Sequence, residues 1–390
     1  MAADTDIAII GGGPVGAALA LALQQSALRV TVLEARAEDR GGHRSEHNRE
    51  ARPMALSYGS RLLLERLGVW QSLRAPTAIR DIHVSQRGGF GRVTMSAAEL
   101  DLAALGYAID YIDLFEILSN EVRATHNDYR EGARVTALTR EGDAQRVHFT
   151  LQDGTAATLT AQWVIAADGG ELDGLTPPTT RDYAQHALTA RVSTTLPHNH
   201  VAYERFTQDG PLALLPFEND CSLVWMHTPE RVAELMQAED YAFLVSLRET
   251  FGARLGDFTR VTRRASHPLS LRYTTRDTPG VITIGNAAQT LHPVAGQGFN
   301  LGLRDAWELA QILCGIAPQA LTNNAALHNY RTRRRTDRVA MIAATHGLVQ
   351  LFSNDFLPLH AARGIGMTVL GAITPLRNVI ARRMIFGAHG

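Results

Sequence analysis

A glycine-rich turn near the start of the chain most limits the folds available to it. An apolar strand is predicted over residues 6–10 and an Ala- and Leu-rich helix over 14–25, and residues 11–16 between them read Gly-Gly-Gly-Pro-Val-Gly. A second strand, predicted over 29–33, contains the β-branched run Val-Thr-Val. A strand, turn, helix and strand in this order are typical of a Rossmann-like, doubly wound parallel α/β sheet.

The turn has the G-x-G-x-x-G spacing of dinucleotide-binding sites. Gly11 permits the tight turn, Gly13 lets a pyrophosphate approach the backbone, and Gly16 allows the helix to pack closely on the strand. Pro14 starts the helix, whose N-terminus supplies the positive end of a dipole. Glu34 ends the second strand, where a carboxylate accepts hydrogen bonds from an adenosine ribose. The motif predicts a bound dinucleotide, and by itself it does not distinguish FAD from NAD.

Length and composition set the outline of the protein. At 390 residues the chain exceeds the roughly 250–300 residues at which one hydrophobic core stops growing, so we expect two domains. The formal net charge of -1 gives no electrostatic reason to expect nucleic acid. Cys221 and Cys314 lie far apart, which predicts neither a disulfide framework nor a metal site. All 38 basic side chains are arginines, which excludes Schiff-base and P-loop lysine chemistry.

The residues before the glycine-rich turn bear on localisation. They include acids where a signal or transit peptide carries cations, and no run in the sequence approaches the roughly 18 apolar residues of a membrane span. We therefore expect a cytoplasmic protein, or at most one peripheral to the inner membrane.

The pattern further along the chain predicts a β-rich domain inserted into the first. Residues 79–95 alternate around a Gly-Gly-Phe-Gly turn, as in a β-hairpin, and strands are predicted again over 183–227. The dinucleotide-binding domain is then discontinuous. Its predicted pieces are 1–76, 97–172 and 266–340, the predicted substrate domain comprises 77–96 and 173–265, and a C-terminal helical segment covers 341–390.

A second glycine-rich loop follows a predicted strand over 281–284. Gly296 and Gly298 lead into a helix predicted over 297–314, whose free N–H groups can face an anion. A reduced flavin carries negative charge at N1 and the C2 carbonyl, and a helix N-terminus placed there stabilises it. This loop therefore favours FAD over NAD.

Residues 292–305 carry the most specific motif of the chain. They fit the pattern H-P-[LIV]-[AG]-G-Q-G-x-N-x-G-x-x-D throughout, and they resemble the signature of the ubiquinone-biosynthesis hydroxylases, which are group A flavoprotein monooxygenases of the para-hydroxybenzoate hydroxylase superfamily. Residues 285–289 resemble the branch of 2-octaprenyl-6-methoxyphenol hydroxylase type, because Asn286 and Gln289 stand where most of the superfamily has Asp and His. An amide still bonds a ribityl hydroxyl.

The resemblance covers nearly the whole chain and implies roles for its residues. Residues 52–56 resemble a segment whose arginine lies beside the cofactor, and 166–169 resemble an Asp-Gly segment that serves the FAD pyrophosphate and NAD(P)H. The strands at 203–207 and 210–216 resemble those that face the flavin. The predicted cofactor-binding residues are Gly11, Gly13, Pro14, Gly16, Glu34, Arg52, Asp168, Gly169, Gly285, Asn286, Pro293, Gly296, Gln297, Gly298, Phe299 and Asn300.

The resemblance also points to residues near the reacting atoms. Pro293 is expected to lie against the flavin ring, and His292 is a candidate general base, with a packed histidine as the alternative. Tyr203 and Arg205 are candidates for the substrate cavity, with ordinary strand residues as the alternative. No metal site is expected.

The function that the resemblance implies is FAD-dependent aromatic hydroxylation. In the family, transiently bound NAD(P)H reduces FAD, and O2 then adds to give the flavin C4a-hydroperoxide, whose distal oxygen attacks an electron-rich phenol ring. The expected substrate is a polyprenyl phenol of ubiquinone biosynthesis. The alternatives are a group A hydroxylase of another aromatic, an NAD-dependent dehydrogenase, and a non-catalytic flavoprotein that serves as the scaffold of a biosynthetic complex.

The C-terminal part of the chain is both arginine-rich and apolar. Five arginines over 331–338 are typical of a solvated helix face. Residues 339–390 carry four arginines against the single acid Asp355, and 365–376 is uncharged. Helices packed on the core account for this pattern. The competing hypothesis is that 341–390 docks on an anionic membrane or on partners in a ubiquinone-biosynthesis complex.

Overall fold

The computed structural model describes residues 3–37, 53–169, 172–274, 278–292, 296–321, 325–352 and 357–387. Within these ranges the strands are β1 (Thr5–Ile10), β2 (Val30–Glu34), β3 (Pro53–Ser57), β4 (Thr77–Ile79), β5 (Asp81–Gln86), β6 (Arg92–Ser96), β7 (Gly106–Asp110), β8 (Asp128–Glu131), β9 (Arg134–Glu141), β10 (Ala144–Thr150), β11 (Ala156–Ala166), β12 (Thr179–Thr194), β13 (Val201–Phe206), β14 (Pro211–Phe217), β15 (Asp220–His227), β16 (Phe258–Val261), β17 (Ala265–Tyr273), β18 (Val281–Thr283) and β19 (Gln289–Thr290). The α-helices are α1 (Pro14–Ala22), α2 (Tyr58–Arg66), α3 (Tyr111–Arg123), α4 (Pro229–Gln237), α5 (Asp240–Phe251), α6 (Gln297–Leu313), α7 (Ala325–Phe352), α8 (Leu357–Ala372) and α9 (Thr374–Phe386).

The first sheet has the doubly wound form that the glycine-rich turn predicts. Its strand order is β8-β2-β1-β11-β10-β9, and β18 also pairs with β11. β1 lies parallel to β2 and β11, while β8 and β18 extend the parallel part on either side. β1 and β2 are buried throughout, as expected for strands covered on both faces. The predicted Rossmann-like α/β fold is confirmed.

The core of this first unit follows from the alternation of side chains along β1. Ile7 and Ile9 point to the face covered by α1, α3 and α6, and Ala8 and Ile10 point to the other face. α1 is built almost entirely from Ala, Leu and Gly, so α3 and α6 can pack closely against it. α1 follows β1 directly, which fixes its N-terminus at the carboxyl edge of the sheet.

The second sheet forms the inserted β-rich part. Its order is β19-β17-β12-β15-β14-β13-β5-β6, and β16 pairs with β12. β5 and β6 are antiparallel and make the hairpin predicted over 79–95. α4 and α5 cover one face of this sheet, where Phe243 and Leu247 are fully buried. The other face, with Val93 and Met95, packs against the C-terminal helices.

The C-terminal helices pack on the rest of the chain. α8 contacts β6, and α9 contacts α2. In the described residues no single helix is long and apolar enough to cross a membrane, whereas 363–372 and α9 meet that criterion jointly as a pair bent by 97°. α7 runs through the boundary predicted between 340 and 341, and the domain limits as a whole stay predictions.

Candidate active site

The first glycine-rich turn is shaped by contacts that leave no room for side chains. Gly11 has a φ of +96°, and its N–H donates to the Leu33 carbonyl at 2.8 Å. A Cβ on Gly11 would lie 2.7 Å from the Cα of Asp168, and a Cβ on Gly16 would collide with the Gly11 carbonyl oxygen. The tight turn and the close packing expected of these two glycines therefore have a direct steric basis.

Gly13 and Pro14 open the N-terminus of α1 toward a cavity. Gly13 is the N-cap, and no atom lies within 4 Å of the point where its Cβ would stand. Pro14 is the first helical residue, and no side chain of the described residues caps the free N–H groups. Uncapped N–H groups and the positive end of the helix dipole thus face open space, which is the arrangement that binds a pyrophosphate.

Glu34 is held at one end of the same cavity by backbone hydrogen bonds. Its Oε2 accepts the N–H of Gly12 at 2.6 Å, and its Oε1 accepts the N–H of Arg36 at 2.8 Å. An ionised carboxylate has about four acceptor positions, so two remain for other donors. Glu34 is therefore oriented to receive the ribose hydroxyls that the sequence motif predicts there.

The cavity at this edge of the sheet has a volume of about 540 Å³. Asp168 and Gly169, which follow β11, line it opposite the turn, and Gly169 has a φ of +69°. Arg36 and Arg134 also line it, although no sequence motif pointed to them. The sequence-predicted residues that the cavity brings together are Gly11, Gly13, Pro14, Glu34, Asp168, Gly169, Gly285, Asn286, Gly298 and Phe299.

Asp305, the last residue of the signature, holds the second glycine-rich loop in place. Its Oδ2 accepts the N–H of Gly285 at 3.1 Å and the side-chain amide of Gln289 at 3.0 Å. Gln289 therefore has a structural role, because its amide donates a hydrogen bond to a buried carboxylate. Gly285 has a φ of +58°, and a Cβ there would lie 3.2 Å from the side chain of Val15 on α1.

The other oxygen of Asp305 is paired with Arg334 of α7. The guanidinium lies 2.7 Å from Oδ1 and also reaches Glu308 at 3.1 Å. Arg334 is buried, whereas Arg333 and Arg335 on either side are exposed. The expected solvated face over 331–338 is therefore wrong at Arg334, because α7 turns that one position onto α6.

The N-terminus of α6 lies beside this cavity and also beside a second, larger one. Gly296 is the N-cap with a φ of +59°, and no atom lies within 4 Å of a Cβ built on Gly298. Gln297 and Phe299 line a cavity beside it. Asn300 behaves differently, because its side-chain amide bonds backbone groups of β3 and of Gly296. It shapes the loop through those bonds.

A second cavity, of about 750 Å³, adjoins the first. Met54, Asn286, Gly298 and Phe299 line both, so the two spaces meet at the N-terminus of α6. The walls of the larger cavity are mostly apolar. From the second sheet come Ile82, Val84, Val93, Met95, Phe206 and Leu215, and from the C-terminal helices come Met367, Leu370, Ile380, Met384 and Ile385.

The residues present fit FAD. Glu34 is placed for the adenosine ribose, the uncapped α1 N-terminus behind Gly13 is placed for the pyrophosphate, and the empty position at Gly298 leaves room for the flavin ring at the junction. The α6 N-terminus beside that junction would stabilise negative charge on a reduced flavin. Asn286, which lines both cavities, would hold the ribityl chain between the two ends.

Of the two residues predicted for the substrate cavity, Tyr203 lies in its wall and Arg205 does not line it. Tyr203 lies in the wall of the larger cavity, yet its ring packs edge-on against Phe251 of α5, with the centroids 5.3 Å apart. The Nε of Arg205 donates to the Thr250 carbonyl at 2.9 Å, and Arg205 does not line the cavity. Glu204, between them, points to the opposite face of the strand and lines the cavity.

His292 is packed in the interior. It is 1% exposed, its ring stands edge-on to Tyr183 with the centroids 5.0 Å apart, and it lines neither cavity. Burial lowers the pKa of His292 to about 4, so the imidazole is neutral near pH 7. This geometry agrees with the alternative of a packed histidine. Arg52 and Pro293 lie outside the described residues.

Sequence motifs missed the features that shape the larger cavity. The inner faces of α8 and α9 form one wall, and Glu204 stands on another. The apolar character of 365–376 was a signal for a buried or lining helix face, but it did not indicate what that face would border. For Glu204 the signal was an acid at a two-residue spacing from the apolar residues Ala202 and Phe206 of the same strand.

A Rossmann-like sheet with this elongated site, opening into an apolar cavity beneath a β-rich sheet, defines a flavoprotein of the aromatic monooxygenase class. Residues 4–345 match a family model described as an FAD binding domain. The chain belongs to this FAD-binding family and, within it, to the flavoprotein monooxygenases that include the ubiquinone-biosynthesis hydroxylases. FAD as cofactor and the monooxygenase class were both predicted, and both are confirmed.

Three known proteins illustrate the relationship. The chain is 33% identical to ubiquinone hydroxylase UbiL of Rhodospirillum rubrum, covering 97% of this chain and 88% of that protein. It is 33% identical to the 3-demethoxyubiquinol 3-hydroxylase of Escherichia coli, covering 93% and 94%. Its fold is similar to the crystal structure of p-nitrophenol 4-monooxygenase PnpA of Pseudomonas putida, with a TM-score of 0.77, 19% identity and 100% of both chains covered.

Proposed function

We propose that the protein hydroxylates the aromatic ring of a polyprenyl phenol in ubiquinone biosynthesis, with NAD(P)H as transient electron donor and O2 as oxygen source. The relatives named as ubiquinone and demethoxyubiquinol hydroxylases support the ring chemistry. The observation that carries the substrate class is the large apolar cavity that adjoins the flavin site. When bound and reduced, FAD activates O2 and supplies one oxygen atom to the ring.

The residues of this chain supply placement, electrostatics and the exclusion of water. The N-termini of α1 and α6 stabilise the negative charges of the pyrophosphate and of the reduced flavin. Asp305 and Asn300 hold the two segments that form the junction of the cavities. The apolar walls contributed by β5, β6, α8 and α9 keep water from the reacting oxygen and orient the phenol ring.

The size of the cavity sets how much of the substrate it can enclose. A volume of about 750 Å³ lies within the range of about 300–1,000 Å³ that encloses a drug-sized ligand. The aromatic ring and the first isoprene units therefore fit, and the remainder of a long tail must leave the cavity. The apolar helices α8 and α9 provide a surface along which it can pass.

A series of phenols with increasing prenyl length tests the substrate class. Each additional buried CH2 contributes about 0.8 kcal/mol, so kcat/KM is expected to rise steeply over the first isoprene units and then level off. Equal kcat/KM for a soluble phenol without a tail would instead support a hydroxylase of another aromatic. NAD(P)H oxidation without hydroxylation of any of these phenols would support the scaffold alternative.

We further propose that the outer face of α8 and α9 rests on an anionic membrane. This outer face is defined by Ile365, Val369, Ile373, Leu376 and Val379, whose exposed fractions lie between 44% and 56%. Arg382 and Arg383 beside it are exposed, and residues 357–387 contain no acid. Apolar and cationic side chains together favour an anionic lipid surface, and the same helices border the cavity into which the lipid-soluble substrate must pass.

Liposome flotation tests this contact. The double variant Val369→Glu and Val379→Glu alters only the outer face, whereas truncation at Arg338 would also remove a cavity wall. Wild type is expected to float with anionic liposomes, and the double variant is not. Tyr241→Glu, which changes an 81% exposed residue on α5, is the matched control and should float normally. Equal flotation of wild type and a folded double variant overturns the proposal.

A further inference from the structure

Glu204 is the one carboxylate among the described residues that line the larger cavity. It lies on β13, opposite Ala213 of β14 and Val84 of β5. Its neighbours two positions away, Ala202 and Phe206, also line the cavity, as the alternation of a strand requires. A carboxylate therefore stands in a wall formed by β5, β6, β13, β14 and β15, whose other lining residues are apolar apart from Tyr203.

The carboxylate of Glu204 lacks a partner within the described part of the chain. Its Oε1 is buried and accepts no hydrogen bond there. Leaving such a group without a donor costs free energy, so a buried acceptor at the wall of a binding cavity is suited to a donor that arrives with the ligand. A phenol hydroxyl is a donor of this kind.

The charged groups around the cavity leave the Glu204 carboxylate available to bond a ligand. On its own strand and on β5, Arg205 and His83 lie on the opposite face of the sheet. Across the cavity stand Arg363 of α8 and Arg377 of α9, and Arg377 is held by two hydrogen bonds to Glu99, both at 2.7 Å. Burial raises the pKa of Glu204 to about 7, so both of its protonation states are populated near neutral pH.

We infer that Glu204 accepts the hydroxyl proton of the phenol substrate and is the general base of the hydroxylation. This inference rests on the proposed function. The phenol O–H donates to a carboxylate oxygen of Glu204 in the bound state. It thereby holds the ring in one orientation and increases the electron density of the carbon that is attacked.

The proton movements balance in two stages. A ring electron pair forms the new C–O bond as the O–O bond of the activated oxygen breaks, the phenol oxygen becomes a carbonyl, and its proton passes to Glu204. The attacked carbon then loses its hydrogen to water as a proton, and the C–H electron pair restores the aromatic ring. Glu204 returns its proton to the carbonyl oxygen, so the product carries two hydroxyl groups and the carboxylate is regenerated.

Other residues near the cavity are less suited to this role. Arg205 has no acceptor atom and bonds the Thr250 carbonyl. The ring of Tyr203 packs on Phe251, and His292 lines neither cavity. Glu204 combines an acceptor, a place on the cavity wall and a pKa raised by burial to about 7.

The test compares ligand binding and turnover in the holoenzyme. The ligands are an alkyl phenol and its methyl ether, and binding is followed by the change in absorbance of the oxidised flavin. Wild type is expected to bind the phenol about ten- to a hundredfold more tightly than the ether, as a hydrogen bond to a charged group predicts. Glu204→Leu should lose this preference while still binding the ether, and Glu204→Gln should retain part of it.

Turnover supplies a second readout. Glu204→Gln is expected to lower the rate of ring hydroxylation by about 10²–10⁴-fold, the usual contribution of a general base. Reduction of the flavin by NAD(P)H should continue, so less product forms per NAD(P)H consumed. Glu249→Gln, at an exposed position of α5, is the matched control and should keep the wild-type binding preference and product yield.

The outcomes separate this inference from the proposed function. An unchanged preference for the phenol over the ether in a folded, FAD-loaded Glu204→Leu protein overturns the role of Glu204 and leaves the proposed function intact. Wild type that neither binds nor hydroxylates alkyl phenols overturns both. Loss of the preference together with loss of hydroxylation in the Glu204 variants, but not in Glu249→Gln, supports the inference.

Discussion

The side-chain carbonyl of Asn300 accepts the N–H of Ser57 at 2.8 Å, although the two residues are 243 positions apart in the chain. The same amide donates to the Ala55 carbonyl at 3.2 Å and to the Gly296 carbonyl at 2.8 Å. One side chain thus joins β3 to the turn that begins α6, and both segments line the larger cavity. The asparagine of the signature therefore fixes the shape of the site.

Replacing Asn300 with alanine should loosen this junction. Three hydrogen bonds are lost, and at about 0.5–1.5 kcal/mol each the free energy of unfolding should fall by roughly 2–4 kcal/mol. FAD affinity should fall as well, because the α6 N-terminus is no longer held beside the flavin site. Thermal unfolding and titration with FAD measure the two effects. An Asn300→Ala protein with wild-type stability and FAD affinity contradicts this role.

The buried pair of Asp305 and Arg334 gives a second prediction. Arg334→Met removes the cation and leaves Asp305 uncompensated in the core, which typically costs about 3–5 kcal/mol. The neighbouring substitution Arg335→Met, at an exposed position of the same helix, is the matched control and should change stability by less than about 0.5 kcal/mol. Denaturant unfolding distinguishes the two variants. Equal stability would mean that the pair does not hold α7 on α6.

Glu34 should contribute to FAD affinity through its free acceptor positions. Glu34→Ala removes the acceptors offered to the ribose and also the bond to the Gly12 N–H, so the Kd for FAD should rise by about ten- to a hundredfold. Glu34→Gln retains one carbonyl acceptor and should show a smaller rise. Fluorescence titration of the apoprotein with FAD gives both constants. Unchanged FAD affinity in a folded Glu34→Ala protein would contradict the prediction that Glu34 binds the ribose.

Glu204 should make stability depend on pH in a specific direction. Because burial raises its pKa from 4.5 to about 7, the folded state binds a proton in this interval that the unfolded state has released. The contribution of Glu204 to stability is thus present below pH 4.5 and is lost as the pH rises through about 7. Glu204→Gln should therefore be more stable than wild type at pH 8, by up to about 3 kcal/mol, and the difference should vanish near pH 4. A difference that does not change with pH contradicts the burial of this carboxylate.

Local motifs predict the cofactor half of the site because backbone geometry dictates them. Gly16 is required by its contact with the Gly11 carbonyl oxygen within one strand-turn-helix unit, and Gly11 by its positive φ in the same turn, so both requirements appear in a short sequence motif. Gly296 and Gly298 are likewise predicted from the sequence pattern at the start of a single helix. The predicted FAD site, Rossmann-like fold and hairpin over 79–95 follow from such short-range constraints.

The substrate half depends on long-range pairing that no local pattern contains. Both faces of β13 are covered, one by α5 and one by the cavity, so its sequence does not reveal which residues face the ligand. The register with β5 decides that Glu204 faces it and Arg205 does not. The burial of Arg334 also has no local sequence signal, because it depends on Asp305, 29 positions away on another helix.

Incubation with a polyprenyl phenol under labelled oxygen tests whether the protein hydroxylates the ring. The purified protein is loaded with FAD and incubated with NAD(P)H, ¹⁸O2 and a short-chain polyprenyl phenol, and the product is analysed by mass spectrometry. We expect a product that has gained one oxygen atom, and that atom is ¹⁸O on the aromatic ring. Consumption of NAD(P)H with the phenol recovered unchanged, or with label on the prenyl tail only, would contradict it.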